Sequence, residues 1–148
     1  MNDDKILLRD FFPYQLANLA QRVSTSLSRS YQEKFNLSIP QWRVLACLGE
    51  RDSSTAKIIA EQSFMDKVKT SRAIKEMSAK GLLQKKQDGS DNRAYWLNLS
   101  PKGKKLYRAV VPYALAWEDD FLSGLNGAEY KHLSQMFAKL NEKLDAME

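Results

Sequence analysis

The stretch that decides the fold is residues 55–105, TAKIIAEQSFMDKVKTSRAIKEMSAKGLLQKKQDGSDNRAYWLNLSPKGKK. Its first helical pattern runs from about Thr55 to Ser63, with Thr55 as the N-cap. Asp66 caps a second helix that runs to about Lys80, and Gly81 closes it in the left-handed position that glycine reaches at little steric cost. Two short helices joined by a tight turn indicate a helix-turn-helix.

The second helix is predicted to have two different faces. At about 100° per residue, its inward face carries Thr70, Ala73, Ile74 and Met77. The residues predicted to contact DNA from this helix are Lys67, Lys69, Thr70, Ser71, Arg72 and Lys75. Such a helix suits the major groove because Lys and Arg contact phosphates and guanine edges there, and Lys69, Ser71 and Arg72 are the candidates for base edges. For this helix taken alone, a solvated basic surface is an equal alternative.

A charged hairpin follows the second helix at once. Residues 81–86 begin with an apolar pair and become polar, residues 87–92 are dense in turn formers, and residues 93–99 alternate with Tyr95, Leu97 and Leu99 on one face. The predicted DNA contacts of this hairpin are Lys85, Lys86, Asp91 and Arg93. Arg93 suits a narrow minor groove, and Asp91 could hold its guanidinium in place. A hairpin without a role in DNA binding is the alternative, which its position after a basic helix disfavours.

Several short runs resemble one family when they are taken in order. They are LSIPQWRVL (37–45), MDK (65–67), SR (71–72), KGL (80–82), DNRA (91–94) and LSPKG (99–103). This ordered set resembles the MarR (multiple antibiotic resistance) family over roughly residues 10–145. In this chain Asn92 stands where that family commonly has a second basic residue, and residues 68–69 are Val-Lys where Ser-Thr is common.

The resemblance implies a homodimeric winged helix-turn-helix that binds double-stranded DNA, usually a repressor that a small aromatic or phenolic ligand releases. It implies that Arg93 is the wing arginine with Asp91 as its partner, and that Ser71 and Arg72 match the Thr-Arg pair of the recognition helix. The predicted fold class is therefore mainly α, a winged helix-turn-helix with a small β-hairpin wing and long N- and C-terminal dimerisation helices.

Positive charge is concentrated on the region predicted to bind DNA. The 148 residues carry a net charge of +5, but residues 51–110 hold 14 Lys and Arg against 6 Asp and Glu, whereas residues 111–148 hold 3 against 7. The length predicts a single domain spanning 1–148, with the winged helix-turn-helix in 37–99 and dimerisation helices in 8–36 and 100–148.

The flanking segments have the apolar periodicity of long helices. The first is predicted to run from about Phe11 to Phe35, and a capping box formed by Ser38 and Gln41 opens the next, which ends near Gly49. The apolar stripe of the first helix exceeds what one neighbour covers, which favours a second subunit. Core or dimer packing is favoured over a ligand site for the aromatic residues at its head, Phe11, Phe12 and Tyr14.

Two more helices are predicted after the hairpin. One begins at Ser100 and Pro101 and should kink at Pro112, and a capping box at 126–129 opens the last helix. The cations in the first turns of the former, which indicate either nearby phosphates or a solvated face, are Lys102, Lys104, Lys105 and Arg108. Paired with the first helix, these helices would set two reading heads about 34–36 Å apart, one turn of the duplex.

An enzyme is poorly supported by the residue types present. The chain has one His (His132) and one Cys (Cys47), too few for a zinc cluster of the usual composition, and no Ser-His-Asp set, P-loop or dinucleotide fingerprint is found, so neither a cofactor nor a metal is predicted. The lone cysteine and the lack of a signal peptide or membrane-length apolar run favour a cytoplasmic protein without a membrane partner. A protein-interaction dimer would explain the long helices but not the basic head.

A small aromatic acid is the preferred ligand, and its pocket is predicted to offer aromatic walls and a carboxylate clamp. The residues predicted to line it are Phe12, Arg22, Trp42, Arg43 and Tyr113. One alternative is a redox-sensing repressor that acts through Cys47, although a thiol inside an apolar helix is usually inert and redox-sensing relatives carry theirs in the first helix. The other alternative is a DNA-binding dimer with no effector.

Overall fold

A computed structural model describes the backbone of residues 4–88 and 91–148 and no side chain between 88 and 94. The elements are α1 (Phe12–Ser28), α2 (Gln32–Phe35), α3 (Ile39–Glu50), α4 (Ala56–Ser63), α5 (Lys67–Ala79), β1 (Leu83–Asp88), β2 (Asp91–Leu99), α6 (Pro101–Leu122) and α7 (Gly127–Met147). The two strands form an antiparallel hairpin. The predicted fold class is confirmed: a mainly helical winged helix-turn-helix.

Short polar side chains set the ends of the helices in the helix-turn-helix. Thr55 accepts a hydrogen bond from the Ile58 amide at 3.3 Å, and Asp66 accepts one from the Lys69 amide at 2.7 Å. Gly81 has a φ of 74°, the left-handed conformation predicted for it. The capping boxes predicted at the starts of α3 and α7 are also present. These local signals therefore located the helices correctly.

A short segment at Ser54, just before α4, connects the hairpin to the helical region through backbone hydrogen bonds. Leu83 pairs with Leu99, and Lys85 with Leu97, while the backbone of Ser54 exchanges hydrogen bonds of 2.9 and 2.8 Å with Leu97. Of the three residues predicted to share one face, Leu97 and Leu99 are buried, whereas Tyr95 is 49% exposed. β1 extends to residue 88 and β2 starts at residue 91, so both strands reach into the predicted turn of 87–92.

The core lies beneath the helix-turn-helix and the hairpin. Its largest fully buried apolar side chains are Tyr31, Val44, Leu45, Ile59, Met77 and Val110. They come from the segment before α2 and from α3, α4, α5 and α6, so α5 is packed in a core to which four other parts of the chain contribute.

The prediction of one continuous helix over 11–35 is wrong. α1 ends at Ser28 and α2 begins only at Gln32. The hydroxyl of Ser28 donates to the Thr25 carbonyl at 2.6 Å, and the turn that follows buries Tyr31, which is 1% exposed and stacks on Trp42 with ring centroids 5.2 Å apart. Tertiary burial of the Tyr31 ring therefore overrides the helical periodicity of this segment.

The chain divides into two compact units, Met1–Ala114 and Leu115–Glu148. α6 starts in the first unit, includes Pro112, and ends in the second. In the second unit Trp117 and Phe121 stack at 4.9 Å, whereas α7 has no buried residue along its 21 residues. Over 4–88 and 91–148, none of the helices combines the length and the apolar character needed to cross a membrane.

Candidate nucleic-acid interface

α5 has a buried face and an opposite exposed face. The buried residues are Thr70, Ala73, Ile74 and Met77. The exposed side chains predicted to contact DNA are Lys67, Lys69, Ser71, Arg72 and Lys75. Because the apolar face anchors the helix on the core, the cations and the hydroxyl are presented to solvent together.

Thr70 does not share the exposed face with the other predicted contacts. Its side chain is 1% exposed, and its hydroxyl donates to the Asp66 carbonyl at 2.8 Å within the first turn of α5. The prediction that the Thr70 side chain contacts DNA is therefore corrected, because its hydrogen-bonding and packing are used inside the protein.

The cations of α5 are not neutralised within the described part of the chain. Within that part, Arg9 forms an ion pair with Asp10 at 3.6 Å, but no described carboxylate pairs with a cation of α5. Positive potential on this face is thus left for an external anion, as a DNA backbone would supply.

The hairpin adds cations from a second element. Lys85 and Lys86 are exposed on β1, and the Lys85 ammonium lies 5.7 Å from the centroid of the Tyr95 ring. β2 includes Asp91 and Arg93, but their side chains lie outside the described residues, so the Arg93–Asp91 pair stays a prediction.

Sequence reasoning missed two residues on this surface. Lys57 on α4 is exposed and lines a cleft of about 390 Å³ between α4 and α5, together with Lys67 and Ser71. Val68 is 67% exposed on α5, among the cations. For Val68, the helical spacing from Arg72 and Lys75 was the signal available in the sequence.

The five residues predicted for an effector pocket are not brought together in one described cavity. Trp42 stacks on Tyr31, and Arg43 donates to the Ser24 hydroxyl at 3.2 Å. The remaining three predicted residues are exposed: Phe12, Arg22 and Tyr113.

Tyr113 has partners of its own. Its hydroxyl accepts a hydrogen bond from the Lys34 ammonium, which also lies 4.0 Å from the centroid of the Tyr113 ring, and its ring meets Phe35 edge-on with centroids 5.5 Å apart. Tyr113 is therefore anchored beside α2.

A cavity of about 600 Å³ lies where α5, α6 and the α2–α3 connection meet. It is lined by Phe35, Asn36, Leu37, Lys80, Leu82, Lys102, Lys105, Leu106 and Ala109, a set that includes none of the five predicted residues. Lys80 donates to the Asn36 carbonyl at 3.1 Å and Lys102 to the Lys80 carbonyl at 2.8 Å. Lys105 has no hydrogen bond or ion pair to a described residue, which leaves one ammonium available beside an apolar floor.

Cys47 lies on α3, and its side chain is buried in the core of the protein. Its side chain is 7% exposed, and burial raises the pKa of the thiol, with Arg51 lowering it and Glu50 raising it to smaller extents. The sulfur donates to the Gln62 side-chain carbonyl at 3.5 Å. Since thiolate is the reactive form, these surroundings disfavour oxidation.

Comparisons with known proteins match this architecture. A family model described as "MarR family" matches residues 37–95. The chain is 24% identical over 133 residues to the transcriptional regulator HosA of Escherichia coli O111:H-, covering 90% of this chain and 96% of HosA.

Two solved structures illustrate the likeness of the fold. One is the MarR/EmrR family transcriptional regulator from Acinetobacter sp. ADP1, with a TM-score of 0.83, 26% identity, and coverage of 95% of this chain and 99% of the other. The other is Bordetella bronchiseptica BpsR, whose DNA binding is regulated by 6-hydroxynicotinic acid, with a TM-score of 0.72, 23% identity, and coverage of 86% and 98%. At that identity the second likeness speaks for the fold alone.

Proposed function

Because the chain belongs to the MarR family of winged helix-turn-helix, DNA-binding transcriptional regulators, we propose that it acts as a homodimeric repressor. In this proposal each protomer inserts α5 into the major groove of one half of a pseudo-palindromic operator. A small aromatic acid releases the protein from DNA.

The observation that carries the proposal is the exposed face of α5. Its cations stand opposite the buried face, and no described carboxylate pairs with them. A helix of this kind reads base edges through its outward residues, while cations on the flanking elements neutralise phosphates.

The test compares Arg72→Ala with Lys139→Ala. Arg72 is exposed on α5 and Lys139 is exposed on α7, so neither truncation removes a buried side chain. In fluorescence-anisotropy titrations of a duplex selected from a random-sequence pool, we expect Arg72→Ala to weaken binding by about 1–3 kcal/mol and Lys139→Ala to leave it unchanged. Equal affinities for the two variants would contradict the assignment of α5.

Different residues of the hairpin wing are proposed to contribute to sequence-specific and to non-specific DNA binding. We propose that Arg93 enters the minor groove while Lys85 and Lys86 contact phosphates. Arg93→Ala should weaken operator binding by about 1–3 kcal/mol without unfolding the protein, and Lys86→Ala should lower affinity for all duplexes and reduce the salt slope by about one. Unchanged binding in both variants would contradict the wing.

A second copy of the chain is the proposed cover for the apolar stripes of α1 and α7. The apolar residues of the α7 stripe are Tyr130, Leu133, Phe137, Leu140, Leu144 and Met147, each at least 38% exposed. Amphipathic helices are stabilised mainly by burial of the apolar face, and most oligomers of soluble proteins are closed homo-oligomers.

The cavity between α5 and α6 is the proposed effector site. Trp42 and Arg43 already have partners within the chain, whereas this cavity combines an apolar floor with the available ammonium of Lys105. Lys80, the C-cap residue of α5, also lines it, so a ligand there acts directly on the end of the recognition helix. A ligand releases the protein from DNA only if it binds the DNA-free conformation more tightly than the DNA-bound one.

Lys105→Met tests the effector site, with Lys104→Met as its control because Lys104 neighbours Lys105 on α6 but does not line the cavity. Benzoate and 6-hydroxynicotinic acid are titrated into the protein–duplex complex. We expect release of the wild type and of Lys104→Met at the same acid concentration, and about a tenfold higher requirement for Lys105→Met. Identical responses of the two variants would contradict this site, and no response of the wild type would favour a dimer without such an effector.

Redox control through Cys47 is the less supported alternative, since burial raises the pKa of the thiol and so disfavours the reactive thiolate further. Cys47→Ser is expected to respond to peroxide as the wild type does, and a loss of the response would restore this alternative.

A further inference from the structure

We propose that Val68 determines operator specificity by contacting the C5 methyl group of thymine in the major groove. This inference rests on the proposed function, because it requires that α5 enters that groove. One thymine in each half-site is then recognised by a side chain that has neither a charge nor a hydrogen-bonding group.

The position of Val68 on α5 is the first argument. The buried residues of this helix follow the spacing i, i+3, i+4 and i+7, starting from Thr70. The same spacing starting from Val68 gives Ser71, Arg72 and Lys75, all exposed. A displacement by two residues is about 200° of rotation, so Val68 begins the stripe that lies opposite the core.

Lys67 and Lys69 lie on either side of this stripe. One residue in either direction rotates a side chain by about 100°, which brings Lys67 and Lys69 towards the two edges of the exposed face. The edge lysines suit phosphates on the groove walls, whereas the central residues Val68 and Arg72 face the floor of the groove, where the base edges lie.

The exposure and the shape of Val68 are the second argument. Its side chain is 67% exposed, so an apolar surface faces water at the centre of an otherwise polar face. A β-branched residue in a helix is held in one preferred χ1 rotamer, so Val68 presents its methyl groups in a fixed direction and loses little side-chain entropy on contact.

The chemistry of the base edges selects thymine. In the major groove the other bases present hydrogen-bonding groups, whereas thymine adds a C5 methyl group that apolar side chains contact. Val68 can satisfy no donor or acceptor, so placing it against a purely polar edge leaves that edge desolvated and unpaired. Against a thymine methyl the same side chain removes two apolar surfaces from water.

The experiment replaces single thymines by deoxyuridine, which removes only the methyl group. A duplex is selected from a random-sequence pool with the wild-type protein, and each thymine is then replaced in turn in both half-sites. Affinities are measured by fluorescence anisotropy for the wild type, for Val68→Ser, and for Lys67→Ala as a variant of the same helix. Since Val68 is 67% exposed, its substitution leaves the core packing intact, which circular dichroism checks.

At one thymine per half-site, we expect the wild type to lose about fourfold in affinity for each methyl group removed. Val68→Ser should bind the thymine and deoxyuridine duplexes equally at that position. Lys67→Ala should bind both more weakly and keep the fourfold ratio, because Lys67 is proposed to contact phosphate only.

Two results would overturn the inference in different ways. If no thymine position is sensitive in the wild type, or if Val68→Ser keeps the ratio, the inference is wrong even though Arg72→Ala still weakens binding. If the wild type selects no duplex, or if Arg72→Ala binds the selected duplex as tightly as the wild type does, the proposed function is wrong and the inference falls with it.

Discussion

At the scale of single residues, Phe64 adopts a backbone conformation that its residue type disfavours. It ends α4 with a φ of 53°, a left-handed conformation that is uncommon for bulky residues, and its side chain is 92% exposed. The turn between α4 and α5 thus holds an aromatic residue at a position that usually favours glycine.

Phe64→Gly is expected to stabilise the protein by roughly 0.5–1 kcal/mol, because relief of the left-handed strain exceeds the entropy cost of glycine and little buried surface is lost. Urea unfolding followed by circular dichroism measures the change. Phe64→Ala is the control, since it removes the ring but keeps the Cβ atom, and equal stabilisation by both substitutions would argue against strain as the cause.

Burial of Tyr31 makes the free energy of unfolding depend on pH. Burial raises the pKa of its phenol from 10.0 to about 12, and Arg43 opposes this effect in part. The folded chain therefore holds the phenolic proton more tightly than the unfolded chain. The stabilisation that comes from the buried, protonated phenol of Tyr31 is fully present below about pH 10. The free energy of unfolding should therefore fall as pH rises from about 10 to 12.

Alkaline unfolding of Tyr31→Phe checks this prediction. We expect the variant to lose part of the decrease in unfolding free energy between pH 10 and 12, while Tyr95→Phe, which alters a ring that is 49% exposed on the hairpin, behaves as the wild type. A Tyr31→Phe curve parallel to the wild-type curve over this interval would exclude Tyr31 as the source.

At the scale of elements, a compact junction joins the end of α5 to the start of α6. The Ser100 hydroxyl donates to the Gly81 carbonyl at 2.6 Å, and the Ser100 amide donates to the Leu82 carbonyl at 2.9 Å. The Gly103 amide in turn donates to the Ser100 hydroxyl at 3.0 Å. The junction lies beside the proposed effector cavity, so its geometry connects that cavity to the recognition helix.

Gly103→Ala should disrupt this junction. A Cβ atom at Gly103 would lie 2.2 Å from the Leu82 carbonyl oxygen, which is backbone and cannot rotate away. We expect a loss of about 1–3 kcal/mol in the free energy of unfolding, as for other overpacked sites. Gly124→Ala is the matched control because a Cβ atom there meets nothing within 4 Å, and similar stabilities of the two variants in urea would contradict the close approach.

Local signals in the sequence predicted most elements, since caps and periodicity depend on neighbouring residues. Thr55, Asp66 and Gly81 marked the ends of α4 and α5 correctly. The break after Ser28 was missed because it depends on burial of Tyr31 against Trp42, which lies eleven residues further along the chain. Periodicity contains no information about such a contact.

The candidate sites were predictable to different degrees for the same reason. The exposed cations of α5 follow from a single helix, so the sequence predicted their common face, and it also indicated that Thr70 points inward. The cavity beside Lys105 is assembled from three segments that are distant in sequence. No spacing rule brings residues 35–37, 80–82 and 102–109 together before the fold is known.

At the scale of the whole molecule, charge and apolar surface are segregated along the chain. Residues 51–110 carry the excess of Lys and Arg, whereas residues 111–148 are acidic overall. The latter also carry the exposed apolar stripe of α7. This distribution fits a division of labour in which one region meets a polyanion and the other meets a second copy of the chain.

Leu140→Glu tests that division of labour. Leu140 is 42% exposed within the α7 stripe, and a carboxylate there would be buried without a partner in the proposed dimer. We expect sedimentation equilibrium to give a mass of 17.0 kDa for the variant and twice that value for the wild type. Because two linked heads bind DNA with a high effective concentration, the monomeric variant should lose about 10²–10⁴ in affinity although α5 is unaltered.

Gln135→Glu is the control, since it adds the same carboxylate to α7 at an exposed position outside the apolar stripe. It should remain dimeric and bind DNA nearly as the wild type does. A Leu140→Glu protein that keeps both the dimer mass and the wild-type affinity would mean that this stripe is not the interface. A monomeric variant with unchanged affinity would mean instead that the two heads do not act together on one duplex, because linkage through a dimer requires that both losses occur together.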